Sequence, residues 1–233
     1  MRTSIPAAVS STLAAAALAA TAGLGTASAA PPKCSDIDGV QVGNTCEVKI
    51  SDPGYSVDIT FPALYPNQRP LLDYVKQTRD GFLNLARNSD ARVSPYVLET
   101  KATEYNSAVP PRGTQTVVLE SYEWVGGAHP TTFYKAFNWD QGYRKAITID
   151  TLFREDTDPF PVILPLVRAS IAEQFGDAVV VHDDAGLDPR IYQNFAITND
   201  TLIFFFDRGA LLPEAAGNFS VAIPRSAVDA MLA

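Results

Sequence analysis

The 233-residue chain is short of the residue types on which most protein chemistry depends. It holds only two cysteines, two histidines and two tryptophans. Two cysteines exclude a Cys-rich zinc module and a multi-disulfide scaffold. Two histidines, His129 and His182, bound every imidazole-dependent mechanism to one of these positions. Positive charge is also scarce. Eighteen Lys and Arg against 26 Asp and Glu leave a formal net charge of -8. That balance argues against nucleic acid, whose phosphates need a basic surface, and against electrostatic docking on anionic lipid. The Gly-x-Ser-x-Gly elbow, the P-loop, the dinucleotide fingerprint and the His-Glu-x-x-His helix are all absent. So are repeats and low-complexity linkers. What is present is globular: 46% apolar and 10% aromatic residues, more than a disordered chain carries.

Residues 1–30 read as a secretory leader rather than as fold. Arg2 supplies the positive start, Leu13 to Leu24 an Ala/Leu-rich apolar stretch, and Ala27-Ser28-Ala29 a small-x-small cleavage site. No twin Arg is present, which favours the general export route. Removing the leader removes Arg2 and takes the net charge from -8 to -9. No later segment approaches ~20 uninterrupted apolar residues, so no transmembrane segment is expected in the mature chain. The remaining 31–233 suffice for one domain with one core. In an oxidising compartment Cys34 and Cys46 are expected to pair, closing a short loop worth about 3 kcal/mol in the chain-entropy model. Their spacing is not that of a redox-active Cys-x-x-Cys pair.

Periodicity outlines an α+β fold with a mainly antiparallel sheet and two packed helices. Glu47 to Ser51 and Tyr55 to Phe61 flank the turn residues Asp52-Pro53-Gly54. Val57, Ile59 and Phe61 alternate with polar residues, which predicts one buried face. From Pro66 to about Arg87, the apolar positions Leu71, Leu72, Val75, Phe82, Leu85 and Ala86 recur at helical spacing, with Arg79 on the polar side. Strands follow at Tyr96 to Tyr105, Thr114 to Val125, Thr131 to Trp139 and Lys145 to Ile149. A helical turn is expected from Asp150 to Phe153. Pro161 to Phe175 reads as the second helix, buried through Val162, Leu166, Ala169 and Ile171 and stopped by Gly176. Phe195 to Thr198 and Leu202 to Asp207 flank the hairpin turn Asn199-Asp200. The unbroken apolar run Leu202 to Phe206 predicts a strand covered on both faces. Asn218 to Ile223 is a final strand, and Ser226 with Asp229 resembles a capping box.

Chemistry has few places to sit. His129 follows Gly126-Gly127-Ala128 and precedes Pro130 in the loop between two strands, where glycines permit positive φ. Such a loop either presents His129 and backbone N–H groups to a ligand or is simply an exposed hairpin tip. His182 lies beside Asp183 and Asp184, a set that does not specify a metal, and no cofactor is expected. Around the His129 loop cluster Tyr122, Trp124, Phe133, Tyr134, Phe137 and Trp139. Strand alternation buries about half of them and leaves the rest as a recognition surface. Gly126, Gly127, His129, Trp124 and Tyr134 are therefore the candidate binding residues, with His129 the candidate base if the protein is a hydrolase.

The stretches GGAHPTTFYKAFNWDQGYRKAITIDTLF, GLDPRIYQNFAITNDTLIFFF and LLPEAAG followed by IPRSAVDAMLA resemble the family of the mycobacterial secreted immunogenic protein 64. So do the Cys34/Cys46 pair, ITFPALYPNQ and PPRGTQTVVL. The chain is also similar to RsiV-like extracellular domains, named for a lysozyme-sensing anti-sigma factor. The resemblance covers the whole expected mature chain. It implies a β-grasp-like RsiV-like domain, secreted or cell-wall-associated, that acts as an antigen by contacting a host or extracellular protein, a lysozyme-like one among them. The signalling role does not carry over, because the receptor's membrane and cytoplasmic parts have no counterpart here. One relative is described as a cell-wall-associated esterase, which implies short-chain acyl esters as an alternative substrate class. No catalytic set maps onto these residues.

Overall fold

Asp52-Pro53-Gly54 makes the turn its composition predicts: the Gly54 N–H donates to Asp52 Oδ1 at 2.9 Å, closing a tight loop. It joins β2 (Thr45–Asp52) to β3 (Tyr55–Pro62), and β3 alternates between buried and accessible residues along its whole length. The computed structural model describes residues 32–88, 94–108, 113–176 and 179–233. The leader and Pro110 to Arg112 of the expected stiff turn lie outside the described residues.

Three long strands of 12, 11 and 10 residues build the sheet centre. β4 (Tyr96–Ser107), β5 (Thr114–Trp124) and β6 (Thr131–Asp140) pair antiparallel, with β7 (Lys145–Ile147) beyond β6 and β1 (Val40–Val42) beyond β2. The seven strands lie in sequence order. One junction is parallel, β3 with β4, because α1 (Gln68–Asn88) carries the chain back across the sheet between them. A second sheet has the order β10 (Phe219–Pro224), β9 (Thr201–Phe206), β8 (Phe195–Ile197). Neither the split into two sheets nor the parallel pair is encoded in the strand periodicity.

The molecule has four layers. α1 lies on one face of the seven-stranded sheet, burying Leu71, Leu72, Val75 and Phe82 against Val57, Ile59, Phe61, Leu98 and Leu119. The opposite face meets the three-stranded sheet through Val118, Ala196 and Phe205. The second sheet is closed by α3 (Phe160–Phe175), with Ile163, Val167 and Ile171 packed on Phe195, Phe204, Phe206 and Val221. Leu202 to Phe206 is thus covered on both sides, as its lack of alternation requires. Short helical turns α2 (Ile149–Leu152) and α4 (Asp183–Gly186) link these parts.

Four local readings are corrected. Leu83 rather than Leu85 faces the core; Leu85 is exposed. Arg79 is buried, not solvated. Its guanidinium bonds the Ile37 carbonyl, Asp38 Oδ2 (3.2 Å) and Asp80 Oδ1 (2.7 Å). The buried side of α3 is Ile163, Leu164, Val167 and Ile171, whereas Val162 and Leu166 are half-buried and Ala169 is exposed. That helix is apolar nearly all round, so periodicity gives no bearing. The C-terminus forms two 3-10 turns instead of a capped helix, because Asp229 is taken by the buried Arg225 at 2.7 Å.

Cys34 and Cys46 form a disulfide with Cα atoms 5.6 Å apart, both side chains buried. It clasps a 3-10 turn (Cys34–Ile37) and β1 to the sheet, elements too short for periodicity to reveal. Gly39 packs directly on the bridge: a Cβ there would stand 2.6 Å from Cys34 Sγ.

Candidate functional site

Strand register decides where the aromatic cluster goes. Side chains paired across β4, β5 and β6 share a face. Val97 with Trp124, Glu99 with Tyr122, and Tyr122 with Thr132 fall on the face that also meets the second sheet. Phe133, Lys135, Phe137 and Trp139 fall on the α1 face, where all four are half-buried. The six aromatics are therefore divided between two surfaces.

On the first surface, the second sheet covers only the part of β5 and β6 around Val118. Toward the hairpin tip the face is open. Tyr122 is 38% exposed beside Glu99, Lys101, Glu120 and Thr132, which line a shallow depression of about 200 Å³. Trp124 is half-buried, its indole N–H donating to Ser94 Oγ at 3.1 Å. Tyr134 shares the face but is occupied in packing. Its ring sits 5.3 Å from Phe205, and Asn218 Nδ2 lies 2.6 Å from its hydroxyl. Burial pushes the Tyr134 phenol above its ordinary value, chiefly by desolvation. Asn218 is held there by Tyr134 and Glu120.

The tip is Gly126 to Pro130. Gly126 and Gly127 both adopt positive φ (85° and 94°), the conformations that the glycines permit. A Cβ on Gly126 would rest 3.5 Å from the Tyr96 ring. His129 is exposed, and the Pro130 carbonyl is anchored by Arg208 Nη1 at 3.0 Å. Among the described residues no side chain hydrogen-bonds His129 or His182, and neither lines any of the cavities described. His182 is exposed just ahead of α4, and its neighbour Asp183 pairs with Arg168 at 2.6 Å. No group of three or more metal-ligating side chains occurs among the described residues. Of the five candidate residues, the structure thus brings Gly126, Gly127, His129 and Trp124 to one end of the hairpin and sets Tyr134 into the inter-sheet seam.

The second surface was not singled out from sequence. Beyond the edge of α1, the β6–β7 face forms a groove of about 560 Å³. Tyr65, Asn67, Asp73, Tyr74 and Gln77 stand on one side and Lys135, Phe137 and Thr148 on the other. The only available signal was the alternation Phe133, Lys135, Phe137, Trp139, which gives the face but not whether a helix covers it. The free edge of β6 beside it is closed by side chains: Asp207 Oδ1 accepts the Tyr134 N–H (2.7 Å), and Asn194 bonds the Ala136 N–H (3.1 Å) and the Tyr134 carbonyl (3.0 Å).

Comparison with known proteins places this arrangement. Residues 150–226 match the family model described as protein of unknown function (DUF3298). The chain is 53% identical over 210 residues to the immunogenic protein MPT64 of Mycobacterium tuberculosis, covering 90% of this chain and 92% of that protein. It is 45% identical over 203 residues to the esterase Rv3036c of the same organism, covering 87% and 89%. Among solved structures, a DUF3298 family protein of Pseudomonas aeruginosa superposes with a TM-score of 0.55 at 12% identity, over 81% of this chain and 94% of that one, which shows a shared fold. No helix among the described residues is long and apolar enough to cross a membrane. An α+β layering shared with DUF3298 proteins, together with 53% identity along nine-tenths of its length, means that the chain belongs to the family of the mycobacterial immunogenic proteins MPB64 and MPT64.

Proposed function

We propose that this is an exported antigen-type protein, extracellular or held at the cell wall, that acts by contact with another extracellular protein. The observation that carries the reading is the open end of the β4–β5–β6 face. There Tyr122 stands among Glu99, Lys101 and Glu120, with the half-buried Trp124 next along the same face and no layer among the described residues covering Tyr122. Aromatic side chains ringed by charge are the composition of a recognition surface. The net charge of -8 favours a basic partner, and a lysozyme-like protein fits that description. Titrating lysozyme against the immobilised protein tests this. Saturable binding that weakens with salt and falls in Tyr122→Ala and Glu120→Lys is expected. Absence of saturation at low salt refutes the basic-partner form.

A second reading, hydrolysis of short-chain acyl esters, is favoured by the 45% identity to a protein named as an esterase. The two histidines give it little geometry, since neither has a nucleophile or carboxylate within hydrogen-bond reach among the described residues. Turnover of p-nitrophenyl butyrate that collapses in His129→Ala would establish the reading with His129 as base. Turnover that persists in the His129→Ala/His182→Ala double variant would eliminate imidazole catalysis.

A further inference from the structure

The groove between α1 and β6–β7 lies on the other face of the sheet from the contact surface and asks for a different ligand. Its volume, about 560 Å³, falls within the range of about 300–1,000 Å³ typical of small-molecule sites. Tyr65 lines one end. That side chain is only 2% exposed, and its hydroxyl finds no hydrogen-bond partner among the described residues. A buried hydroxyl without a partner costs free energy in the unliganded protein, and a ligand or bridging water that gains access to it through a shift of the groove lining recovers that cost.

The lining selects among ligand classes. Tyr74 and Phe137 meet edge to face with centroids 5.8 Å apart, and offer an aromatic floor. Asn67 and Gln77 supply amides that both donate and accept, and Asp73 supplies an acceptor. An acyl chain would bury these polar groups against hydrocarbon without compensation. A peptide adding as a strand is blocked at β6, where Asp207 and Asn194 already hold the edge. A simple anion finds Lys135 and the exposed Arg69 but also Asp73, and none of these cations is buried to hold it, within a protein of net charge -8. A sugar meets all the conditions at once. Its hydroxyls each donate and accept, and the C–H face of a pyranose is apolar enough to lie on a ring. Lys135 Nζ now stands 5.9 Å from the Tyr74 centroid and 6.0 Å from that of Phe137. That is the outer limit of a cation–π contact, so a sugar displaces the ammonium at little cost and gains it as a donor.

We propose that the α1–β6 groove is a carbohydrate-binding site, in which Tyr74 and Phe137 stack a pyranose and Asn67, Asp73 and Gln77 bond its hydroxyls, the Tyr65 hydroxyl joining the set once the lining shifts to admit it. The test is a heteronuclear NMR titration of the purified protein with chitotetraose and with maltotetraose, and with decanoate and tetra-alanine as comparison ligands. Saturable shifts confined to residues 65–77 and 135–148 with at least one oligosaccharide are expected. Tyr65→Phe should weaken that binding about two- to tenfold, the worth of one hydrogen bond, without lowering Tm. Asn67→Ala/Gln77→Ala, both on the accessible rim, should weaken it further. No groove shifts with either sugar at millimolar concentration, or groove shifts with decanoate or the peptide alone, overturns the proposal. Full sugar affinity in Tyr65→Phe overturns the role of the buried hydroxyl.

Discussion

Arg79 offers the sharpest test of how the N-terminal staple is held. It projects from the middle of α1, is 5% exposed, and donates to the Ile37 carbonyl, to Asp38 and to Asp80. Asp38 and Asp80 have side chains 89% and 49% exposed, so each ion pair is worth little, roughly 0–1 kcal/mol. The Ile37 carbonyl is different. Ile37 is buried, and removing its donor strands an acceptor at a cost of about 1–3 kcal/mol. Loss of the packed aliphatic stem adds to this. Arg79→Ala is therefore expected to cost about 2–4 kcal/mol in urea unfolding. For a chain of this size that lowers Tm by roughly 4–16 °C. Asp80→Ala should cost under about 1 kcal/mol. Because the carbonyl lies in the segment that the Cys34–Cys46 bridge closes, Arg79→Ala should cost less in a Cys34→Ser/Cys46→Ser background, giving a coupling in the double-mutant cycle. Equal losses in Arg79→Ala and Asp80→Ala, or strict additivity with the cysteine variants, would refute the carbonyl as the main partner.

Three further outcomes follow from the same packing. Gly39→Ala places a methyl 2.6 Å from Cys34 Sγ and 3.0 Å from Cys46 Sγ, so the bridge or the turn must shift; a lower Tm and faster reduction by dithiothreitol are expected. Phe205→Ala removes the ring that Tyr105 and Tyr134 meet at 5.9 and 5.3 Å between the two sheets, and should cost about 3–5 kcal/mol in chemical unfolding. Asp207 has its carboxyl pushed above the usual value of 3.8 by burial, only partly offset by the Tyr134 N–H. The folded state then binds this proton more tightly than the unfolded state, so ionisation lowers stability as pH rises from about 4 through the raised folded value. Asp207→Asn keeps the acceptor and removes the charge; its Tm relative to the parent should increase over that window, and a Tm difference independent of pH would contradict the assignment.

Much of the layering is legible in the residues. Alternation in Tyr55 to Phe61 gives the face that α1 covers, and the unalternating Leu202 to Phe206 gives a strand enclosed on both sides. Gly126 and Gly127 announce the tip conformation. Other features depend on tertiary context. Arg79 looks solvated because its buried partner is a backbone carbonyl 42 residues away, which no side-chain pattern records. The orientation of α3 is lost because its composition is apolar on every side, and only packing on β10 selects Ile163 and Val167. Tyr134 and Trp124 are equivalent in alternation; they differ because Phe205 reaches one and not the other.

Both candidate surfaces arise from a mismatch of widths. Seven strands at about 4.8 Å spacing make a sheet roughly 29 Å across, whereas one helix with its side chains covers about 10–12 Å. The parallel crossover from β3 to β4 centres α1 over the middle strands, so Val57, Leu98 and Leu119 are fully buried while Phe133, Phe137 and Trp139 on β6 stay half-covered. On the opposite face three strands span about 10 Å and cover β5 and β6 only around Val118, leaving Tyr122 and Trp124 beyond their reach. A fold meant only to be stable would place polar side chains at such uncovered positions, since exposed aromatic faces bring no burial. This chain keeps aromatics at both, and beside one of them a buried tyrosine hydroxyl with no hydrogen-bond partner among the described residues. Replacing Tyr122 by Thr, a good strand former, should then cost little in unfolding free energy while changing what that face binds; a large stability loss would mean that this aromatic serves the core after all.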